Sequence, residues 1–357
     1  MRQRLQRGFV AASQPFPLWG IALFLLIALV GLLLVKWSPY YDRIFVAEAT
    51  HSIGTSILAG TAATPPAPSL QAALDYALTY GKSIWQALIL GLLLGSAVQV
   101  LIPRRWIQRW LGDAGMGSIV AAGMLAVPSM MCTCCSAPVI RGLRQCNAGA
   151  GSAVAYWLGN TMLNPATLIF MGFVLGWHWM GLRLVMGLVM VFGLGWLIRR
   201  LSLASTNKPP QASSALEESA PEGNIWQRWL KLLADMTLRL LPEYLVIVLL
   251  LGAARAWLFP ALDMSVDNSL LWIVGLAIAG MLFVIPTAGE VPIVQAALSL
   301  GMAAGPAAAL LVTLPPISLP SLAMVAKSFR LRDLAVLMAG VVLLGVIAAG
   351  LAVLLGF

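Results

Sequence analysis

Residues 130–143 read MMCTCCSAPVIRGL. Five sulfur atoms and a proline stand together here, in a chain otherwise rich in Leu, Ala, Val and Gly. Whether this stretch crosses a lipid bilayer or dips in and returns decides the fold. The composition supplies the bilayer: of 357 residues 60% are hydrophobic and 10% charged, and the mean hydropathy is +0.90. A soluble domain carries about 25% charged residues. This chain lacks the polar surface to face water and is read as an all-α integral membrane protein.

The basic residues then decide between the two paths. Arg104, Arg105 and Arg109 before the stretch, and Arg199 and Arg200 after it, mark the cytoplasmic side. The number of crossings between them is therefore even. Apolar segments 150–175 and 181–198 supply two, and a span over 116–146 would make three. A re-entrant hairpin of segments 116–131 and 138–146 keeps the count even and leaves Arg141 and Arg144 near the cytoplasm. Irregular backbone at that depth is tolerated where protein or a water-filled cavity surrounds it.

The same logic runs outward. Arg2, Arg4 and Arg7 put the N-terminus inside, and segment 18–36 is a retained first helix, since no small-residue cleavage site follows it. Segment 38–81 fits outside. In the second half, 238–260 leads out, 269–285 and 292–300 form a hairpin entering from the outer face, 305–326 returns to Lys327, Arg330 and Arg332, and 333–356 leads out again. PVIRGLRQCNAGAGSAVA from Pro138 matches PIVQAALSLGMAAGPAAA from Pro292 at a constant offset, which puts Gly151 on Gly305. With opposite topology this predicts an inverted repeat, an arrangement common in secondary transporters. The expected fold has about eight spanning helices and two re-entrant helical hairpins. Its divisions are 1–80 (first helix and periplasmic loop), 81–200 (first repeat), 201–237 (a Ser/Pro/Glu-rich flexible linker) and 238–357 (second repeat).

The net charge of +9 does not indicate nucleic acid, because the basic residues cluster at the ends of apolar runs. Four cysteines, three within four residues, exclude a disulfide framework. No phosphate-binding loop, paired catalytic carboxylates or Ser/His/Asp set is visible, so neither enzyme chemistry nor ATP hydrolysis is expected, and no resident cofactor or metal.

Two hairpin tips carry the candidate chemistry. Cys132, Cys134 and Cys135 are soft ligands suited to thiophilic species, and Pro138 with its small neighbours lets the backbone turn so that they converge. The alternative is that they are small apolar residues filling a tight turn. Met130, Met131 and Cys146 read as packing. The second tip, IPTAGEVPIVQ, places Glu290 among Pro286, Gly289 and Pro292. A carboxylate in the membrane usually faces the protein interior and serves an ion or proton path, so Glu290 is the proton-coupling candidate, or else a cap on the following half-helix. Gln295, one turn on, faces the same cavity or makes a structural hydrogen bond. In GNTMLNPA, Asn160 and Asn164 share a helix face before Pro165 and either line a polar pocket or bond a neighbouring helix. Ser318, in TLPPISLP, is the counterpart of Asn164. Asp235 and Glu243 read as solvated, and His51 and His178 receive no role.

At CTCCSAPVIRGL, GNTMLNPA and IPTAGEVPIVQAAL the chain resembles the bacterial predicted-permease family that includes the YraQ-type permeases and the ArsP organoarsenical exporters, over most of residues 80–357. That family commonly shows a Cys-Ser-Cys-Gly-x-x-Pro stretch, onto which Cys132, Thr133, Cys134 and Pro138 fall, with Cys135 at the glycine position. The resemblance implies a multi-pass permease of the bacterial inner membrane, some of whose relatives export thiol-binding trivalent organoarsenicals. The expectation is therefore a secondary transporter that exports a thiophilic small molecule or metal(loid) species, with protons and the lipid bilayer as its other partners. Two other readings stay open: a permease for a sulfur-containing or inorganic anion, with the cysteines as packing, and a membrane metal or redox sensor that transports nothing.

Overall fold

The computed structural model describes residues 18–58, 66–113, 115–204, 224–259 and 266–357. Residues 205–223 of the expected linker, and Arg2, Arg4 and Arg7, lie outside the described residues. The described chain is all-helical, without a strand. Its helices are α1 (Trp19–Thr50), α2 (Leu70–Leu101), α3 (Arg104–Leu111), α4 (Met116–Ala126), α5 (Thr133–Gln145), α6 (Ala150–Met162) and α7 (Pro165–Val174). They continue as α8 (Trp177–Ala204), α9 (Ile225–Leu258), α10 (Leu270–Leu282), α11 (Glu290–Ser299), α12 (Ala304–Thr313), α13 (Leu319–Val325) and α14 (Leu331–Leu354). Five of them, α1, α2, α8, α9 and α14, are long and apolar enough to cross a membrane.

Two of these long helices begin or end beyond the apolar runs that mark them. α1 does not stop near Lys36 but continues to Thr50, because a π-helical turn over Leu33–Trp37 absorbs Pro39. It ends at His51 in the left-handed conformation (φ 49°). α2 starts at Leu70, where the Ser69 hydroxyl accepts the Ala72 N–H.

The first hairpin is α4 and α5, joined by a short 3₁₀ turn, Val127–Ser129, and by Met130 in the left-handed conformation (φ 48°). The chain reverses at 130–132, ahead of Pro138. That proline, expected at the break, lies inside α5. At this point the helix is laid against α2 at glycine distance. A Cβ on Gly91 would stand 2.0 Å from the Cys135 carbonyl oxygen, and one on Gly95 2.5 Å from the Pro138 carbonyl. Gly142 of α5 faces the Gly95 carbonyl in the same way. Small residues four apart let two helix backbones touch, which is how helices associate where no hydrophobic effect drives them together.

The second hairpin is α10 and α11, joined by residues 283–289 with Pro286 in the turn and Ala288 left-handed (φ 66°). The turns that follow the two hairpins are built alike. The Ala148 N–H donates to the Leu143 carbonyl (2.9 Å) across Asn147 at φ 64°, and the Met302 N–H donates to the Ala297 carbonyl (3.0 Å) across Gly301 at φ 95°. Gly149 N–H then reaches back to the Leu111 carbonyl (2.7 Å), and Ala303 N–H to the Val266 carbonyl (2.8 Å).

Each half continues with a broken helix, α6/α7 and α12/α13. Asn164 caps α7, its Oδ1 accepting the N–H groups of Ala166 and Thr167, and Ser318 caps α13, its N–H donating to Ser321 Oγ. The packing repeats as well: α4 on α6 and α10 on α12, α8 on α6 and α14 on α12. The breaks of each half meet the hairpin of the other, α13 against α5 and α11 against α7.

Gly91→Val should lower the thermal midpoint of the purified protein, since forcing atoms into this backbone contact costs about 1–3 kcal/mol. Gly81→Ala, on the same helix with open space around it, should leave the midpoint unchanged or raised when the two are melted in one detergent.

Candidate functional site

Both hairpin tips and both helix breaks line one buried cavity. Cys132 and Thr133 come from the first tip, residues 285–288 and Glu290 from the second, Thr161 and Thr167 from either side of the first break, and Pro315 from the second. The room inside is about 10 Å³ for a water-sized sphere, enough for about one water molecule.

The three thiols do not converge. Cys132 caps α5 and Cys135 sits one turn in, so both point to the same side of the helix, with their sulfur atoms 2.8 Å apart as free thiols. Cys134, two residues from Cys132, lies round the opposite face. It receives the Tyr80 hydroxyl at 3.7 Å and contacts Ser318 Oγ at 3.6 Å, in a polar seam between α2 and the second break. Of the three, Cys132 lines the cavity. Met131 is fully buried, and its N–H donates to Asn160 Oδ1 (3.4 Å) while Asn160 Nδ2 donates to the Tyr156 carbonyl. Asn160 thus ties the first tip to α6 rather than facing the cavity. Asn164 is spent on capping, with its Nδ2 unpartnered among the described residues. Gln295 turns away, donating to the carbonyl of His51 at the end of α1 (2.9 Å), while the His51 ring bonds the Phe173 carbonyl. Pro292 lies in the first turn of α11. Asp235 pairs with Arg239 on the surface, and Cys146 packs at the end of α5.

Glu290 has a partner that the pattern analysis passed over. Arg183, on α8 and fully buried, donates from Nη2 to Glu290 Oε1 at 2.8 Å. The same guanidinium donates from Nη2 to the Thr161 carbonyl (2.9 Å) and from Nη1 to the Leu311 carbonyl (3.0 Å). These two oxygens end α6 and α12. The residues four positions on, which would supply their helical N–H, are Pro165 and Pro315. Arg183 therefore supplies the donors that two prolines lack. It also places a cation at two helix C-termini, while Glu290 places an anion in the first turn of α11, both favoured by the helix dipoles. A charged residue in a membrane helix was the signal that marked it.

Lys36 is a second such cation. It is 4% exposed on an otherwise largely lipid-facing helix. Its Nζ donates to Thr287 Oγ1 at the second tip (3.0 Å) and lies over the Tyr40 ring. Beside it, Trp37 Nε1 donates to the Pro128 carbonyl at the first tip (2.7 Å). One turn of α1 thus reaches both tips.

The family described as predicted permease matches residues 18–160 and again 130–354. The chain belongs to that family. It is 48% identical over 345 residues to protein YraQ of Escherichia coli, a match spanning 96% of this chain and 97% of that protein. No solved structure matches the chain. Family and apolar helices together make this a multi-pass membrane permease.

Glu290→Gln or Arg183→Gln should destabilise this permease by about 3–5 kcal/mol, the cost of leaving half of a buried pair uncompensated. The double variant Arg183→Gln/Glu290→Gln should lose less than the sum of the single losses. Melts of the four proteins in one detergent read the coupling.

Proposed function

We propose that this permease is a secondary transporter of the bacterial inner membrane that exports a thiophilic small molecule or metal(loid) species, such as a trivalent organoarsenical, through the cavity at the two hairpin tips. The observation that carries this reading is the shared cavity itself: the soft Cys132, backed by Cys135, and the Arg183-held Glu290 line one enclosed space. A thiol makes a labile contact with a soft atom, and a site that must release its cargo needs lability. Glu290 couples protons by exchanging its Arg183 contact for a proton, which frees the second tip from α8.

An inverted repeat accounts for the matched caps, turns and packing pairs, with Asn164 and Ser318, Gly149 and Ala303, and Asn147 and Gly301 as equivalents. The five long helices and two broken ones make seven crossings, one below the count expected from sequence, and the hairpins enter from opposite faces. Arg144 bonding the Ser328 carbonyl, and Arg199 the Asp113 carbonyl, gather basic residues of both halves at one end, which the positive-inside rule assigns to the cytoplasm together with the N-terminus.

In a strain stripped of its own exporters, the wild-type chain should protect against at least one of a panel of trivalent arsenicals, copper, silver and tellurite. Cys132→Ser and Glu290→Gln should each weaken export by at least about tenfold, the effect of one lost contact of about 1.4 kcal/mol, while Cys146→Ser should not. Full transport in the first two variants refutes the reading. For the topology, Asp113→Cys should react with a membrane-impermeant maleimide only after cells are opened, and Asp267→Cys in intact spheroplasts. Both aspartates are exposed and the native cysteines buried.

A further inference from the structure

The charges around the cavity do not balance. Among the described residues lining it, Glu290 is the carboxylate, and Arg183 holds it at 2.8 Å. Lys36 has no carboxylate within salt-bridge distance among the described residues; its partners are a hydroxyl and an aromatic ring. Both cations are cut off from water, at 4% exposure for Lys36 and none for Arg183. A buried ammonium without an anion is costly, and a lysine on a lipid-facing helix would ordinarily reach for the interface. Here the π-helical turn of α1 instead carries it inward to Thr287, a residue of the cavity wall.

Hydrogen-bond capacity is left over at the same place. Thr167 lines the cavity, is 1% exposed, and its hydroxyl has no partner among the described residues. Thr287 accepts from Lys36 and keeps its own hydroxyl hydrogen to donate. Lys36 is also near enough to Cys132 and Cys135 to act on them electrostatically.

We propose that this site, whose cavity is closed down here to the room of about one water, opens between the two tips to take a small oxyanion ending in a soft atom, with Lys36 as its counter-charge, the Thr167 and Thr287 hydroxyls on its oxygens and Cys132 beside its soft end. This rests on the thiophilic reading above and adds the substrate's charge. With Cys132 protonated, a neutral metalloid would leave Lys36 uncompensated, and a soft cation would meet a site that is already positive. Lys36 also belongs to the helix that touches both tips, so an anion drawn to it is held where the two hairpins meet.

The test is binding to the purified, reduced full-length protein in detergent, with two soft probes that differ in charge: thiosulfate, an anion, and phenylarsine oxide, which is neutral. Thiosulfate should bind, and Lys36→Gln should weaken it by at least about tenfold while Lys36→Arg keeps most of it. Phenylarsine oxide binding should be the same in all three proteins, and matching thermal melts show that the variants are folded. Wild-type thiosulfate affinity in Lys36→Gln overturns the role of Lys36. Phenylarsine oxide binding without thiosulfate binding overturns the anion and leaves the thiophilic reading standing. Binding of neither probe overturns both.

Discussion

A guanidinium shut away from water needs an acceptor for its N–H groups, and the acceptors of Arg183 come from three separate segments. Two are carbonyls at the ends of half-helices whose next N–H positions are occupied by prolines, and the third is the Glu290 carboxylate. Each of these groups would be costly alone in an apolar interior. Together they satisfy one another, with Arg183 Nε alone left without a partner among the described residues, and in doing so they hold α8, both helix breaks and the second hairpin tip at a common point. The cavity exists because that point is polar. Remove the arginine and two unpaired carbonyls and one unpaired carboxylate remain in its wall.

The irregular backbone is concentrated where this network reaches it. Asn164 and Ser318 cap the half-helices that restart after each break, Asn160 ties the first tip to α6, and the tip residues outside helices bond α1 or one another. Elsewhere most of the described chain is helix, and its carbonyls are spent within the helix. The cavity is thus framed by helix ends rather than helix sides, which concentrates partial charge of both signs on a small volume.

Much of the chain path was legible in the residues themselves. The arginines flanking 116–146 argued for a hairpin there, and the described chain reverses at 130–132; the offset that aligned Gly151 with Gly305 also aligned Asn164 with Ser318, which the structure uses as caps at the two breaks. The charges at the centre were harder to read. Lys36 ends an apolar run and is followed by a proline, so it looked like a boundary; the π-helical turn that carries the helix past Pro39 has no signature in composition. Arg183 sits near the start of its run and was absorbed into the span. The three cysteines looked convergent because adjacency in sequence was taken for adjacency in space, whereas once α5 begins at Thr133 its geometry separates Cys134 from the other two. Gln295 had the right spacing for the cavity but faces α1, whose extra turns to Thr50 were not anticipated.

The glycine contact between α2 and α5 has no equivalent of comparable extent between α9 and α11. The first hairpin is therefore bolted backbone to backbone onto a long helix, while the second packs on α12 and α14 and is pinned at its tip by two side chains, Arg183 and Lys36. The two hairpins are thus mechanically unequal: one is a fixed jamb, and the other a leaf whose latch is electrostatic.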